Sequence, residues 1–127
     1  LQTLLHGFVS RKTVLNLTGQ TTLKQLSAIL SKVDVVLTND SGPMHLAAGL
    51  GASVLGVFTC TSPVISGPPG EQHELVSTQV ACAASYKKKC PHSGRMHQCC
   101  MDELSTERVC SALARLVEKR QLHSRAA

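Results

Sequence analysis

The sequence predicts an α/β fold built on a parallel sheet, and three observations carry that expectation. Two apolar runs without polar alternation, at 34–38 and 53–58, suit strands buried on both faces. Around them stand stretches with the repeat of an amphipathic or a small-residue helix. Strand, helix, strand, helix and strand then follow one another within about 45 residues, the order expected of parallel strands joined by helical crossovers.

Taken in order, Thr13-Val14-Leu15-Asn16-Leu17 is a β-prone run halted by the turn-formers Thr18-Gly19-Gln20. Thr21 or Thr22 offers an N-cap hydroxyl. The helix behind it has Leu23, Leu26, Ile29, Leu30 and Val33 as its apolar stripe. The 34–38 strand ends in five turn-formers, Asn39-Asp40-Ser41-Gly42-Pro43. A small-residue helix over 44–50 is closed by Gly51, and Ser53-Val54-Leu55-Gly56-Val57-Phe58 is the next strand. Residues 74–77 are a candidate for one more short strand. The stretch 82–102 is polar, basic and irregular. Ser105 then caps a final helix with Val109, Leu113, Leu116 and Val117 on one face. The opening, 1–7, reads as the end of a helix and lacks Met, which suggests a fragment covering one incomplete domain, 1–127.

Composition narrows the function. At 127 residues and 43% hydrophobic, the chain is one domain or part of one with enough apolar material for a core. Aromatics are 2%, too few for base-stacking platforms, so no nucleic-acid partner is expected. The longest apolar-leaning stretch, 46–58, is too short to cross a bilayer, which takes about 20 residues. No basic-then-apolar leader opens the chain. Six cysteines, mostly late in the chain, accompany a first half that needs no staples. Reduced thiols in the cytoplasm are therefore expected. The net charge of +5 is concentrated in Lys87-Lys88-Lys89 and in 119–125. These are either solvated surface or a contact for an anionic partner.

Ligands of parallel sheets sit beyond the carboxyl ends of the strands. Three loops converge there: 18–22, 39–43 and 59–70, the last ending in Gly67-Pro68-Pro69-Gly70. The turn before the second helix is the first candidate site. The unpaired N–H groups of a helix's first turn and its dipole favour an anion. Gly42 lets a phosphate approach the backbone, Ser41 adds a hydroxyl, and Pro43 fixes φ at the first helical position. Asp40 is an acceptor suited to sugar hydroxyls. His45, in the same turn, is a candidate sugar or phosphate contact. The plainer alternative is that Asp40 and Ser41 only cap the helix and Gly-Pro only turns the chain. Gly49-Leu50-Gly51 lacks the third glycine of a dinucleotide fingerprint, and Gly67 to Gly70 lacks the Lys-Ser/Thr of a P-loop.

Two strings make a specific resemblance: Leu17-Thr18-Gly19-Gln20-Thr21-Thr22-Leu23, and Asn39-Asp40-Ser41-Gly42-Pro43-Met44-His45-Leu46-Ala47-Ala48. Together they resemble the C-terminal domain of ADP-heptose–lipopolysaccharide heptosyltransferases, glycosyltransferase family nine. The tail Cys90-Pro91 through Cys100-Met101-Asp102-Glu103-Leu104 to Val109 is similar to that family's closing segment. The resemblance implies a Rossmann-like parallel sheet forming part of the C-terminal domain of a GT-B glycosyltransferase. It implies transfer of heptose, with inversion, from an ADP-activated donor to the lipopolysaccharide inner core. Thr21, Thr22 and Leu23 would then lie along the nucleoside. Asp40, Ser41, Gly42, Pro43, Met44 and His45 would hold the sugar and the diphosphate. The general base is expected in the N-terminal domain, so no catalytic residue is assigned here, and no cofactor is expected. A peripheral contact with the inner membrane surface, through Lys87, Lys88 and Lys89, also follows from that reading.

One departure concerns the cysteines. Family members often carry a Cys-x-x-Cys pair where this chain has Cys82-Ala83-Ala84-Ser85. The spacing of Cys82, Cys90, Cys99 and Cys100 matches no standard zinc ribbon, so no metal is expected. Two alternatives stay open: a non-catalytic nucleotide- or sugar-binding module, and a related glycosyltransferase with a different nucleotide-sugar donor.

Overall fold

The computed structural model describes residues 14–126, with side chains to residue 122. The helix end expected at 1–7, and Thr13, lie outside the described residues. Helix α1 (Leu23–Leu30) leads to β1 (Val35–Asn39), α2 (Gly42–Gly49) and β2 (Ser53–Phe58). A single turn, α3 (Pro63–Ser66), precedes β3 (Glu74–Ser77). After a 3₁₀ turn at Gly94–Met96 come the short α4 (Cys99–Glu103) and the long α5 (Thr106–Ala126).

The three strands are parallel in the order β1-β2-β3, with Val36 opposite Val54 and Gly56 opposite Leu75. Side chains alternate across a strand, and that alternation sorts the core into two halves. Val54 and Phe58 point to the face covered by α1 and α2, where they pack with Leu30, Met44, Ala47 and Ala52. Leu55 and Val76 point to the other face and meet Ala112 and Leu116 of α5. The α/β expectation with a parallel sheet is borne out as this three-layer arrangement. Gly56 is required by close packing: a Cβ there would stand 2.8 Å from the Phe58 ring and 3.3 Å from the Met44 sulfur.

Thr22, the second of the two threonines, makes the cap. Its Oγ1 accepts the Gln25 N–H at 3.3 Å and its own N–H donates to Gln25 Oε1 at 2.8 Å, a capping box. Ser105 likewise accepts the Arg108 N–H at 3.3 Å at the head of α5.

Three expectations need correction. Residues 14–17 form no strand, because the Asn16 side chain accepts the Thr18 N–H at 3.0 Å and the Leu17 carbonyl accepts the Gln20 N–H at 3.0 Å. That local turn closes the chain before a ladder begins. The third strand is instead β3. Consequently β1 has a partner on one side only among the described residues, and Leu37 is 50% exposed rather than buried on both faces. Finally, the stretch read as irregular over 82–102 contains the 3₁₀ turn and most of α4.

His73 precedes β3 and is buried. Its Nδ1 accepts the Val54 N–H at 3.1 Å, so an imidazole stands where a strand carbonyl would otherwise serve. Burial holds its pKa below the usual 6.5, against an opposing contribution from the Pro69 backbone. Protonation would also place a hydrogen on Nδ1, facing the Val54 donor. The unfolded chain therefore takes up this proton before the folded one does, and the folded state weakens as pH falls. Stability is fully present above pH 6.5 and is lost below it, toward the lowered folded pKa. Urea midpoints measured from pH 8 to pH 5 should show this decline, and His73→Gln should lack that component. An identical decline in the variant would assign the acid sensitivity to another group.

Among the described residues, no helix is long and apolar enough to cross a membrane.

Candidate functional site

β1 and β2 lie side by side and end together, so the chain leaving Asn39 and the chain leaving Phe58 emerge at one edge. Helix α1 runs back to the amino end of β1, while α2 leaves its carboxyl end. The first turns of both helices therefore face that same edge.

A cavity of about 480 Å³ opens there, on the α5 side of the sheet. The end of β1 supplies Asn39 and Asp40. The end of β2 and its loop supply Val57, Thr59, Cys60 and Thr61. The far wall is Met101 of α4 and Leu104 just after it, with Thr106 and Val109 of α5. One carboxylate, one amide and three threonine hydroxyls thus face an aliphatic flank. Such a lining suits a polyhydroxylated ring, whose hydroxyls need acceptors and whose C–H faces need apolar contact. A hollow of about 740 Å³ at the opposite edge, near Val35, Val117 and Arg120, contains none of the predicted site residues.

The far wall is tied to the sheet. Glu103 accepts the Gln79 N–H at 3.1 Å and pairs with Arg108 at 2.6 Å, and Arg108 also donates to the Ser77 carbonyl at 2.8 Å. A hydrogen bond from Thr78, then the Gln79 N–H and the Arg108 charge, hold the Glu103 carboxyl below the usual carboxylate range despite some desolvation.

The predicted residues divide into three groups. Asp40, half-buried, lines the cavity. Ser41, Gly42, Pro43, Met44 and His45 form the start of α2 and do not line it. Ser41 is the N-cap residue, yet its hydroxyl makes no cap bond. It donates instead to the Asn39 carbonyl at 3.1 Å. The capping alternative for Asp40 and Ser41 therefore does not describe this turn. Pro43 has no N–H, and the Met44 N–H is taken by the Ser41 carbonyl at 3.0 Å. Gly42 is exposed, and a Cβ built on it would meet nothing within 4 Å, so the approach to its backbone is open. His45 is exposed, whereas the Met44 side chain is fully buried in the core. In the third group, Thr21 is half-buried and Leu23 is 71% exposed at the head of α1, with Thr22 engaged in its capping box. None of these three lines the cavity.

Sequence reasoning picked out the 59–70 loop but not Thr59 and Thr61 within it. It missed the far wall altogether. Val109 carried a signal, its place on the α5 stripe, but that stripe reads as packing alone.

Comparison with known proteins adds the following. The model of glycosyltransferase family 9 (heptosyltransferase) matches residues 3–95. The chain is similar to the lipopolysaccharide core heptosyltransferase OpsX of Haemophilus influenzae, 44% identical over 62 residues, 49% of this chain and 18% of that protein. It is similar to lipooligosaccharide heptosyltransferase 2 of Campylobacter jejuni serotype O:2, 34% identical over 110 residues, 86% of this chain and 34% of that protein. Against the serotype O:6 protein of the same name it is 33% identical over 104 residues, 81% of this chain and 32% of that protein. The chain thus spans between 18% and 34% of the length of these relatives. No solved structure matches it.

Proposed function

Since this chain belongs to glycosyltransferase family 9, we propose that it supplies the donor-binding part of an enzyme transferring heptose from an ADP-activated sugar to the lipopolysaccharide inner core. The observation that carries this reading is the place of Asp40. It stands at the carboxyl end of β1, in a cavity lined with hydroxyls and aliphatic groups, one residue before an open helix start.

In this reading Asp40 accepts hydrogen bonds from heptose hydroxyls. The Gly42 backbone receives diphosphate oxygens, the Ser41 hydroxyl joins it by exchanging its bond to the Asn39 carbonyl for one to a phosphate oxygen, and the exposed His45 imidazole reaches the sugar or a phosphate. Thr21, Thr22 and Leu23 border the nucleoside. The Thr22 hydroxyl is already held by Gln25, so it shapes that border more than it binds. Met44 contributes by holding α2 in place from within the core.

The reaction is a single displacement. An acceptor hydroxyl oxygen attacks the anomeric carbon from the face opposite the diphosphate. The bond from that carbon to the phosphate oxygen breaks, ADP departs with the electron pair, and the acceptor proton passes to a base. The α2 dipole and its first-turn N–H favour the charge growing on the departing diphosphate. The base belongs to the other domain of a two-domain GT-B enzyme. Lys87, Lys88 and Lys89, all exposed, steer the anionic acceptor at the cytoplasmic face of the inner membrane.

Calorimetric titration of the full chain with ADP, UDP and GDP sugars tests the donor assignment. ADP sugars should bind at least about tenfold more tightly than the others, a difference of about 1.4 kcal/mol. Equal affinities would remove the ADP preference, and no heat from any of them would remove the donor role.

A further inference from the structure

Behind the candidate donor cavity lies a second one of about 200 Å³. Thr59, Cys60 and Met101 line both, so the two share a wall. Asp40 stands on one side of that wall, and Lys87 and Lys89 line the cavity on the other. Lys88 does not line it, so the three consecutive lysines divide into a pair that meets the recess and one that does not. Among the described residues, no Asp or Glu lines this cavity, and neither Lys87 nor Lys89 is in an ion pair. Two positive charges thus share a recess that holds no counter-charge.

The backbone that presents these lysines is held in place. Among the described residues, the non-glycine positions with positive φ are Ala84 at 54°, Tyr86 at 55° and Gln98 at 58°. Such conformations persist where the surroundings hold them. Here the Ala84 N–H donates to the Thr59 carbonyl at 3.3 Å and the Tyr86 N–H to the Cys60 carbonyl at 2.7 Å. The Tyr86 hydroxyl in turn accepts the Ser62 N–H at 3.2 Å. Lys87 therefore follows a residue pinned, by backbone and side chain, to the loop that lines the donor cavity. Gln98 and Cys90, which also line the recess, are joined by the Gln98 N–H to the Cys90 sulfur at 3.4 Å. A recess whose walls are fixed beforehand loses less to ordering when a ligand arrives.

We propose that this recess is an anion subsite that takes a phosphomonoester of the acceptor, with Lys87 and Lys89 as its charge partners. Such an ester carries about −1.5 to −2 charges at pH 7, which two ammonium groups balance, whereas a carboxylate would leave one of them over. The Ser85 hydroxyl and the Gln98 amide are donors for the remaining oxygens, and Pro91 and Met101 offer apolar contact to the sugar that bears the phosphate. In the proposed function the donor's own phosphates lie at the Ser41–Gly42 turn, and neither residue lines this recess. Transfer needs the two sugars side by side. A phosphate seated beyond the wall of Thr59 and Cys60 holds the acceptor next to the donor sugar at Asp40. The assignment to the acceptor rests on the proposed function, while the anion subsite rests on the recess alone.

The test is the rate at which iodoacetamide, a neutral reagent, alkylates Cys82 and Cys90 in the full chain, followed cysteine by cysteine by mass spectrometry. Both line the second cavity and not the first, and Cys110 of α5, exposed and lining neither, is the reference. For a Kd of about 1 mM, glucose 6-phosphate at about 10 mM should slow Cys82 and Cys90 about tenfold and leave Cys110 unchanged. Glucose should protect neither thiol. Lys87→Gln combined with Lys89→Gln should abolish the protection, Lys88→Gln should keep it, and the matching pair of Arg substitutions at 87 and 89 should keep it too. Equal loss in Lys88→Gln would reduce the lysines to a diffuse surface charge and overturn the subsite. ADP protecting Cys82 and Cys90 as well as the sugar phosphate does would overturn the assignment to the acceptor. No protection by glucose 6-phosphate would overturn the subsite, and the donor reading would then stand or fall on its own titration.

Discussion

In the intact two-domain enzyme of the proposed function, Asp40→Ala is expected to lower kcat/KM for heptose transfer by about ten- to hundredfold while leaving the unfolding midpoint nearly unchanged. The magnitude follows from removing a charged acceptor from hydroxyl donors, worth about 1.5–3 kcal/mol per such hydrogen bond. The small stability effect follows from the turn itself. Ser41, not Asp40, occupies the cap position, and no cap bond is made there that Asp40→Ala could break. A half-buried side chain outside the core, with no part in a cap, changes stability by about 0.5 kcal/mol or less. Asp40→Asn keeps one acceptor oxygen and should lose less activity than Asp40→Ala. Assays of transfer and urea unfolding on the same preparations separate the two roles. A variant that unfolds early yet turns over normally would make Asp40 a structural residue and remove it from the donor site.

The fold was legible where the signal is local. The apolar run over 53–58 has neighbours on both edges and both faces, so its composition matches its surroundings, and β2 is buried along almost its whole length. The run over 34–38 has much the same composition, but burial is a property of the sheet and not of the strand. With β1 at an edge among the described residues, Leu37 stands half exposed. At 14–17 β-propensity alone misled, because Asn16 offers its own side chain to the backbone and a turn wins over a ladder. The site was legible in the same unequal way. Asp40 could be found because a short string of turn-formers before a helix has a physical meaning by itself. The wall of Met101, Leu104 and Thr106 could not, since these residues are brought to the cavity by long-range contacts, among them the Glu103–Arg108 tie to the end of β3 and the packing of Leu104 on the Leu55–Leu116 side of the core. The tie links residues more than twenty positions apart, and no periodicity marks it. The family match, which ends at residue 95, also stops short of that wall.

Met44→Ala is expected to cost about 2–5 kcal/mol of stability, the range for deleting a fully buried large side chain from a core that collapses only partly. Met44 belongs to the same short string as Asp40, and by sequence the two look like equal partners in a site. In the fold they face opposite ways. Met44 is 0% exposed and packs with Leu30, Val54 and Phe58, and its sulfur would lie 3.3 Å from a Cβ built on Gly56, a tight contact. Its role is to seat α2 against the sheet, and so to hold the Ser41–Gly42 turn at the edge where Asp40 stands. Met44→Leu, similar in volume and wholly apolar, should then cost less than about 1.5 kcal/mol and keep transfer near the wild-type rate. Thermal melts and transfer assays on both variants decide between packing and ligand contact. If Met44→Ala melts like the parent while Met44→Leu loses activity, the side chain touches the ligand and the division of the string into site and core is wrong.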